Sequence, residues 1–294
     1  AEGNVEFKAL LYIPSKAPMD MFYPEAKRGL QLYVKRVQIM DHCEKLIPDY
    51  LRFMRGVVDC ADLPLNVSRE ILQEDALILK IKKNIVNKVL DTLKTLKEKN
   101  NEKYLAFFKE FGKVLKEGLH SDFENKAALA ELLIYESTFT EKGKFTNFKD
   151  YVERMPKEQK DIYVITGESR SVVENSPHLE AFKAKNFETL FLTDPIDEWV
   201  VESLNEYSGK KVKNIAKGEV QLDEKDQKQK EEEKKQQQEQ FGSFLEAIKK
   251  NLEADVKEVR ISDRLTDSPC VLVADEFGMT AQMEQIFKAM NQPM

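Results

Sequence analysis

From Gln73 to about Leu96, the apolar residues Leu77, Ile81, Ile85, Val89, Leu93 and Leu96 recur at three- and four-residue intervals. That spacing predicts one helix about five turns long with a single apolar face. The lysines Lys82, Lys83 and Lys88 fall off the stripe. Such a face has to be buried against another layer, and the preceding sequence offers one. Val5, Phe7, Ala9, Leu11 and Ile13 alternate as a strand does, and Pro14, Pro18 and Pro24 then enforce a loop. Leu30, Leu32 and Val34 alternate again, and the phase slips to Val37 and Ile39 across Lys35-Arg36. The slip predicts a bulge or twist within a second strand. Residues from Pro48 to Met54 read as a short helix ahead of Val57-Val58. Strands plus the long helix predict an α/β sandwich over residues 1–98.

Residues 99–154 read as a helical connector. It holds Tyr104-Leu-Ala-Phe-Phe and a second helix from Ala127 to Tyr135, joined at Gly118. A second, smaller α/β subdomain is predicted over 155–220. Asp161–Thr166 reads as a buried strand, Pro177–Lys183 as a helix, Phe187–Leu192 as a strand, and Pro195–Tyr207 as a helix. Strand, helix and strand in that order predict a parallel crossover. Residues 221–240 form a charged linker of twelve charged side chains, seven glutamines and the lone apolar Leu222, so they cannot supply a core face. The segment is a solvated helix or a disordered linker. Residues 241–294 read as the beginning of a small α+β domain. Helices are predicted at Phe244–Leu252 and Gly278–Met290, and strands at Val256–Ser262 and Cys270–Ala274.

Composition narrows the function classes. Basic side chains number 46 and acidic ones 52, for a net charge of −6. No basic stripe is interleaved with aromatics, which argues against nucleic acid as a partner. No apolar run approaches the roughly 20 residues of a membrane helix. Cys43, Cys60 and Cys270 are widely spaced and odd in number, which points to free thiols in a reduced, cytoplasmic setting. His42, His120 and His178 show no metal-ligand spacing, so no metal site is expected. Nucleophile-elbow, P-loop and zinc-protease motifs are absent from the sequence. The chain starts at Ala1 in strand-like sequence, as an excised fragment would.

One loop stands apart. In Asp62-Leu-Pro-Leu-Asn-Val-Ser-Arg-Glu-Ile-Leu-Gln73, Pro64 keeps the chain extended, and Ser68 with Glu70 behind it forms a helix start. Arg69 and Gln73 then lie one turn apart on one face, where a guanidinium and an amide could meet a phosphate. On spacing alone Arg69 reads first as a surface arginine or one bonded to a loop carbonyl, with Asn66 holding the loop. Trp199, among apolar neighbours, reads on its own as core. Met279 and Met283, spaced i, i+4 and continued by Ile286, Phe287 and Met290, read as a helix stripe. The stripe is either core or an adaptable surface.

Arg52-Phe-Met-Arg-Gly-Val-Val-Asp59, followed by the Asp62–Gln73 loop, resembles the middle domain of the 90-kDa heat-shock chaperone family, and its bacterial members most. The resemblance continues through Leu115-Lys-Glu-Gly118, Asp122-Phe-Glu-Asn125, Tyr135-Glu-Ser-Thr138 and Tyr151-Val-Glu-Arg-Met155. Ser176-Pro-His-Leu-Glu180, Asp197-Glu-Trp199 and Arg264-Leu-Thr-Asp267 complete it, and it weakens only between about Val212 and Gln240. The resemblance implies that Arg69, assisted by Gln73 with Asn66 in support, reaches the γ-phosphate of ATP. That ATP, with Mg2+, would be bound in an N-terminal domain outside this chain. It also implies a client-binding surface at Glu198, Trp199, Met279 and Met283, although Glu202 stands where a bacterial relative carries an amide. The expected partners are client proteins, the parent's N-terminal ATPase domain and a second copy of the parent. The fragment alone would be no enzyme. The alternative is a non-catalytic scaffold or interaction module in which Arg69 is structural.

Overall fold

The structure, a computed structural model, pairs the strands into two mixed sheets. It describes residues 6–23, 26–63, 76–218, 240–276 and 278–289. The chain forms two compact units. The first comprises residues 1–134, 147–149 and 196–204, and the second comprises 135–146, 150–195 and 205–294.

In the first unit, strands β1 (Phe7–Tyr12), β2 (Leu30–Val34), β3 (Val37–Cys43) and β4 (Arg55–Cys60) lie in the order β1-β4-β2-β3. β2 and β4 run parallel, and the other two pairings are antiparallel. The phase slip at Lys35-Arg36 is a hairpin turn, a correction to the bulged single strand expected there. Both residues have positive φ, 49° and 67°, so the chain reverses in two residues and β3 begins afresh. Irregular register does occur between the two strands, on either side of Leu32.

Helix α1 (Ala76–Lys99) buries Ile81, Ile85, Val89 and Leu93 of the expected stripe, with Ile78, Val86 and Leu90 widening it. It packs on α2 (Asn101–Lys116), on α4 (Lys126–Leu132) and on the Glu44–Leu46 turn. Between α1 and α2 the Asn100 side chain accepts the Lys103 N–H at 3.1 Å, an N-cap that ends one helix and starts the next. Gly118 opens the short helix α3 (Gly118–Ser121) rather than a bare turn. Phe53, Tyr104, Phe107 and Phe111 interlock at ring separations of 4.9–5.8 Å. The Tyr104 hydroxyl donates to the Leu132 carbonyl at the end of α4. The helix Asp197–Ser203 also belongs to this unit.

In the second unit, β5 (Glu136–Ser137), β6 (Ile162–Thr166), β7 (Thr189–Leu192), β8 (Glu206–Tyr207) and β9 (Lys210–Asn214) lie in the order β5-β7-β6-β9-β8. β6 and β7 are parallel, as the crossover requires. A core of Tyr163, Ile165, Val173, Leu179, Phe182, Phe187, Phe191 and Ile215 fills this unit. Helix α4 stops at Leu132, short of the expected Tyr135. Tyr135 instead bridges Thr146, and Glu136-Ser137 pairs with β7. Residues Glu206–Tyr207, expected to end a helix, form a hairpin with β9 through Ser208 and Gly209 at φ of 50° and 75°.

The strands expected at Val256–Ser262 and Cys270–Ala274 do not form; a single bridge joins Ala274 to Lys217. A strand needs a ladder, and neither segment has one beyond that bridge. Between the two, Glu180 takes the N–H groups of Thr266, Asp267 and Ser268, and the Arg264 carbonyl takes the Ala181 N–H. Helices flank this stretch at residues 240–251 and Ala281–Ala289.

Candidate functional site

Arg69, Gln73 and Asn66 lie outside the described residues, as do residues 221–239. The described chain before them ends at the buried Leu63, and α1 is described from Ala76.

The Trp199 helix is built in detail. Asp197 and Glu198 start it, and Asp197, Glu198 (2% exposed) and Val200 are buried. Trp199 is half-buried and Glu202 is exposed. Neither the wholly buried tryptophan of the core reading nor a fully exposed anchor is what the fold produces. The indole stands at the boundary, and the neighbouring Glu198 carboxylate is turned inward.

Asp197 meets Lys116, the last residue of α2, with Nζ 2.8 Å from Oδ1 and 3.0 Å from Oδ2. Both side chains are screened from water, at 3% and 1% exposure. At the other end of the helix, His120 Nδ1 lies 3.4 Å from Ser203 Oγ. No sequence spacing links Lys116 to a carboxylate 81 residues away, so sequence reasoning could not find this pair.

The methionine pair falls in the second unit and divides. Met279 is 39% exposed and Met283 9%. Met279 precedes the helix instead of lying on its face, a correction to the i, i+4 stripe. Thr280 intervenes as N-cap: its Oγ1 accepts the Met283 N–H at 3.1 Å, and its carbonyl accepts the Glu284 N–H at 3.0 Å. Ile286 and Phe287 are half-buried.

A carboxylate nest occupies the same unit. Glu180 accepts the N–H groups of Thr266, Asp267 and Ser268 at 2.6, 2.9 and 3.1 Å, and the Ser268 hydroxyl as well. These bonds, the Ser268 hydroxyl foremost, hold its pKa down at about 2. Beside it Arg264 donates to the carbonyls of Ile215, at 2.7 Å, and Gly218. Burial, with Arg264 nearby, lowers the His178 pKa to about 4. The nest is filled by the chain's own glutamate, so it is a fastening. Cys43 is buried and its thiol pKa is pushed up by that burial, which makes it a poor nucleophile. Among the described residues no three His, Cys, Asp or Glu side chains are grouped to hold a metal ion.

The family profile described as "Hsp90 protein" matches residues 1–293. The chain is 58% identical over 293 residues to the chaperone protein HtpG of Geobacter metallireducens, covering 99% of this chain and 45% of that protein. It is 51% identical over 296 residues to the HtpG of Nocardia farcinica, covering 100% of this chain and 45% of that protein. The chain therefore spans under half the length of the curated relatives it matches. Among solved structures it is similar to the middle domain of a Plasmodium falciparum heat shock protein. The TM-score is 0.64 and the identity 38%, over 73% of this chain and 84% of that one.

Proposed function

The chain belongs to the Hsp90 family, and on that premise we propose that it acts within an ATP-hydrolysing chaperone by binding non-native clients and completing the ATPase site. It is homologous to the bacterial HtpG chaperones and corresponds to their middle-domain region. Arg69, with Gln73 beside it and Asn66 supporting the loop, would approach the γ-phosphate of ATP and Mg2+ held by an N-terminal domain. Phosphoryl transfer asks for positioning and neutralisation of the equatorial oxygens, which a guanidinium delivered from a second domain supplies. Clients would meet the chain at Trp199 with Glu198, and at Met279 with Met283. The parent protein would work in the cytoplasm as a homodimer. No helix among the described residues is long and apolar enough to cross a membrane.

The observation that carries this reading is the family match over residues 1–293, together with the Asn66, Arg69 and Gln73 motif inside it. ATP hydrolysis by the full-length parent tests it, wild type against Arg69→Ala, with far-UV circular dichroism as the folding control. The expected result is a loss of about tenfold or more with the fold intact, smaller than the roughly 10³–10⁵ that arginine fingers contribute in GTPases. An unchanged rate would leave the scaffold reading, with Arg69 structural.

A further inference from the structure

Building on the reading of Trp199 as a client contact, we propose that Lys116 is the positioning residue of that contact. Its buried ion pair with Asp197 sets the direction in which the indole faces. The helix Asp197–Ser203 has seven residues and no side-chain N-cap bond. A helix so short does not hold its shape unaided in water, so its tertiary anchors place it. Asp197 is its first residue, fully buried, and the Lys116 ammonium reaches both carboxylate oxygens. Lys116 also lies 5.9 Å from the centroid of the Phe108 ring, which faces its charge as well.

The backbone that carries the indole belongs to the same turn as this pair. The Trp199 and Val200 N–H groups both bond to the Ile196 carbonyl at 3.1 Å, which ties Trp199 into the turn that Asp197 begins. The inward-facing Val200 and Leu204 then leave the half-buried Trp199 at the boundary. Charges screened from water interact far more strongly than at a surface, and removing one partner of such a pair is the disruptive change. If Asp197 shifts to seek water, the first turn rotates and carries Trp199 with it.

Trp199 is the single tryptophan of the chain, so its emission and acrylamide quenching report on this turn alone. The test compares the wild-type chain with Lys116→Met, Lys116→Arg, Asp197→Asn and Trp199→Ala. It reads quenching, far-UV circular dichroism and binding of reduced, carboxymethylated α-lactalbumin. Lys116→Met and Asp197→Asn are expected to change the quenching constant about twofold and weaken binding about tenfold, as loss of an interface anchor does. Circular dichroism should stay unchanged, and Lys116→Arg should recover part of both effects. Wild-type quenching in both variants overturns the proposal, and so does a change that only accompanies loss of helical signal. Should Lys116→Met fail to fold, Asp197→Asn, which keeps the side-chain volume, decides alone. Wild-type binding by Trp199→Ala would overturn the client reading of Trp199 while quenching still judges the positioning.

Discussion

Gly56 sits in β4 opposite Leu11, at a φ of +143° that L side chains rarely adopt. A Cβ there would fall 2.1 Å from the Leu10 carbonyl oxygen and 2.9 Å from the Leu11 Cα. Relief would mean parting β1 from β4. Gly56→Ala is therefore expected to destabilise the first unit by about 3 kcal/mol, from strain and clash together. Urea unfolding followed by circular dichroism measures it, and an unmoved midpoint would contradict the account. Four residues earlier Arg52 forms a bidentate pair with Glu117, 2.5 and 2.8 Å, and donates to the Met21 and Asp49 carbonyls. Arg52 and Glu117 belong to two separate peptide blocks that carry the family resemblance. Each block is recognisable in sequence; their meeting at one ion pair is not, because 65 residues separate the partners.

Elements were readable where their own periodicity decides them. Helix α1 follows its stripe, because apolar residues recurring every three or four positions over about five turns fall on one face of a helix. Both hairpins escaped, for different reasons. Lys35-Arg36 carries none of the glycine or asparagine that marks a two-residue turn, whereas the signal at Ser208-Gly209 was overridden by reading Pro195–Tyr207 as one helix. The helix Phe148–Arg154 shows how elements are fastened. Its Tyr151 hydroxyl donates to the Glu188 carbonyl at 2.6 Å and accepts from Gln159 Nε2 at 2.7 Å and the Tyr163 N–H at 2.9 Å. Burial raises the pKa of this phenol, so it stays a neutral donor. Tyr151→Phe removes only the oxygen yet strands a buried N–H in β6 and a carbonyl before β7. The expected loss is roughly 1–3 kcal/mol. Thermal unfolding provides the check, and a shift no larger than that of an exposed Tyr12→Phe control would refute it.

For the whole molecule, acid is the most discriminating stress, and it should act on the second unit. His178, with a pKa near 4 against an ordinary 6.5, binds its proton less well folded than unfolded. Its stabilisation is complete above about 6.5 and is lost as pH falls toward 4. Glu180, held near 2 against an ordinary 4.5, contributes fully above about 4.5 and fails only as pH approaches 2. Stability should therefore begin to decline below about pH 6.5, before most carboxylates titrate. His178→Gln should flatten the window from 6.5 to 4, and Glu180→Gln the lower one, in denaturant midpoints taken across pH. An unaltered profile in His178→Gln would rule out this origin. Neither group was singled out for titration by its sequence, since His178 owes its shift to burial and to Arg264, 86 residues further along. The sequence by itself determined the family, the helical stripe and the parallel crossover, because each is carried by residues close together in the chain. Only the tertiary structure decided that Asp197 faces Lys116, that Glu198 turns inward and that Thr280 separates Met279 from its helix. Burial and charge pairing are set by neighbours distant in sequence, and capping by the exact point at which a helix begins.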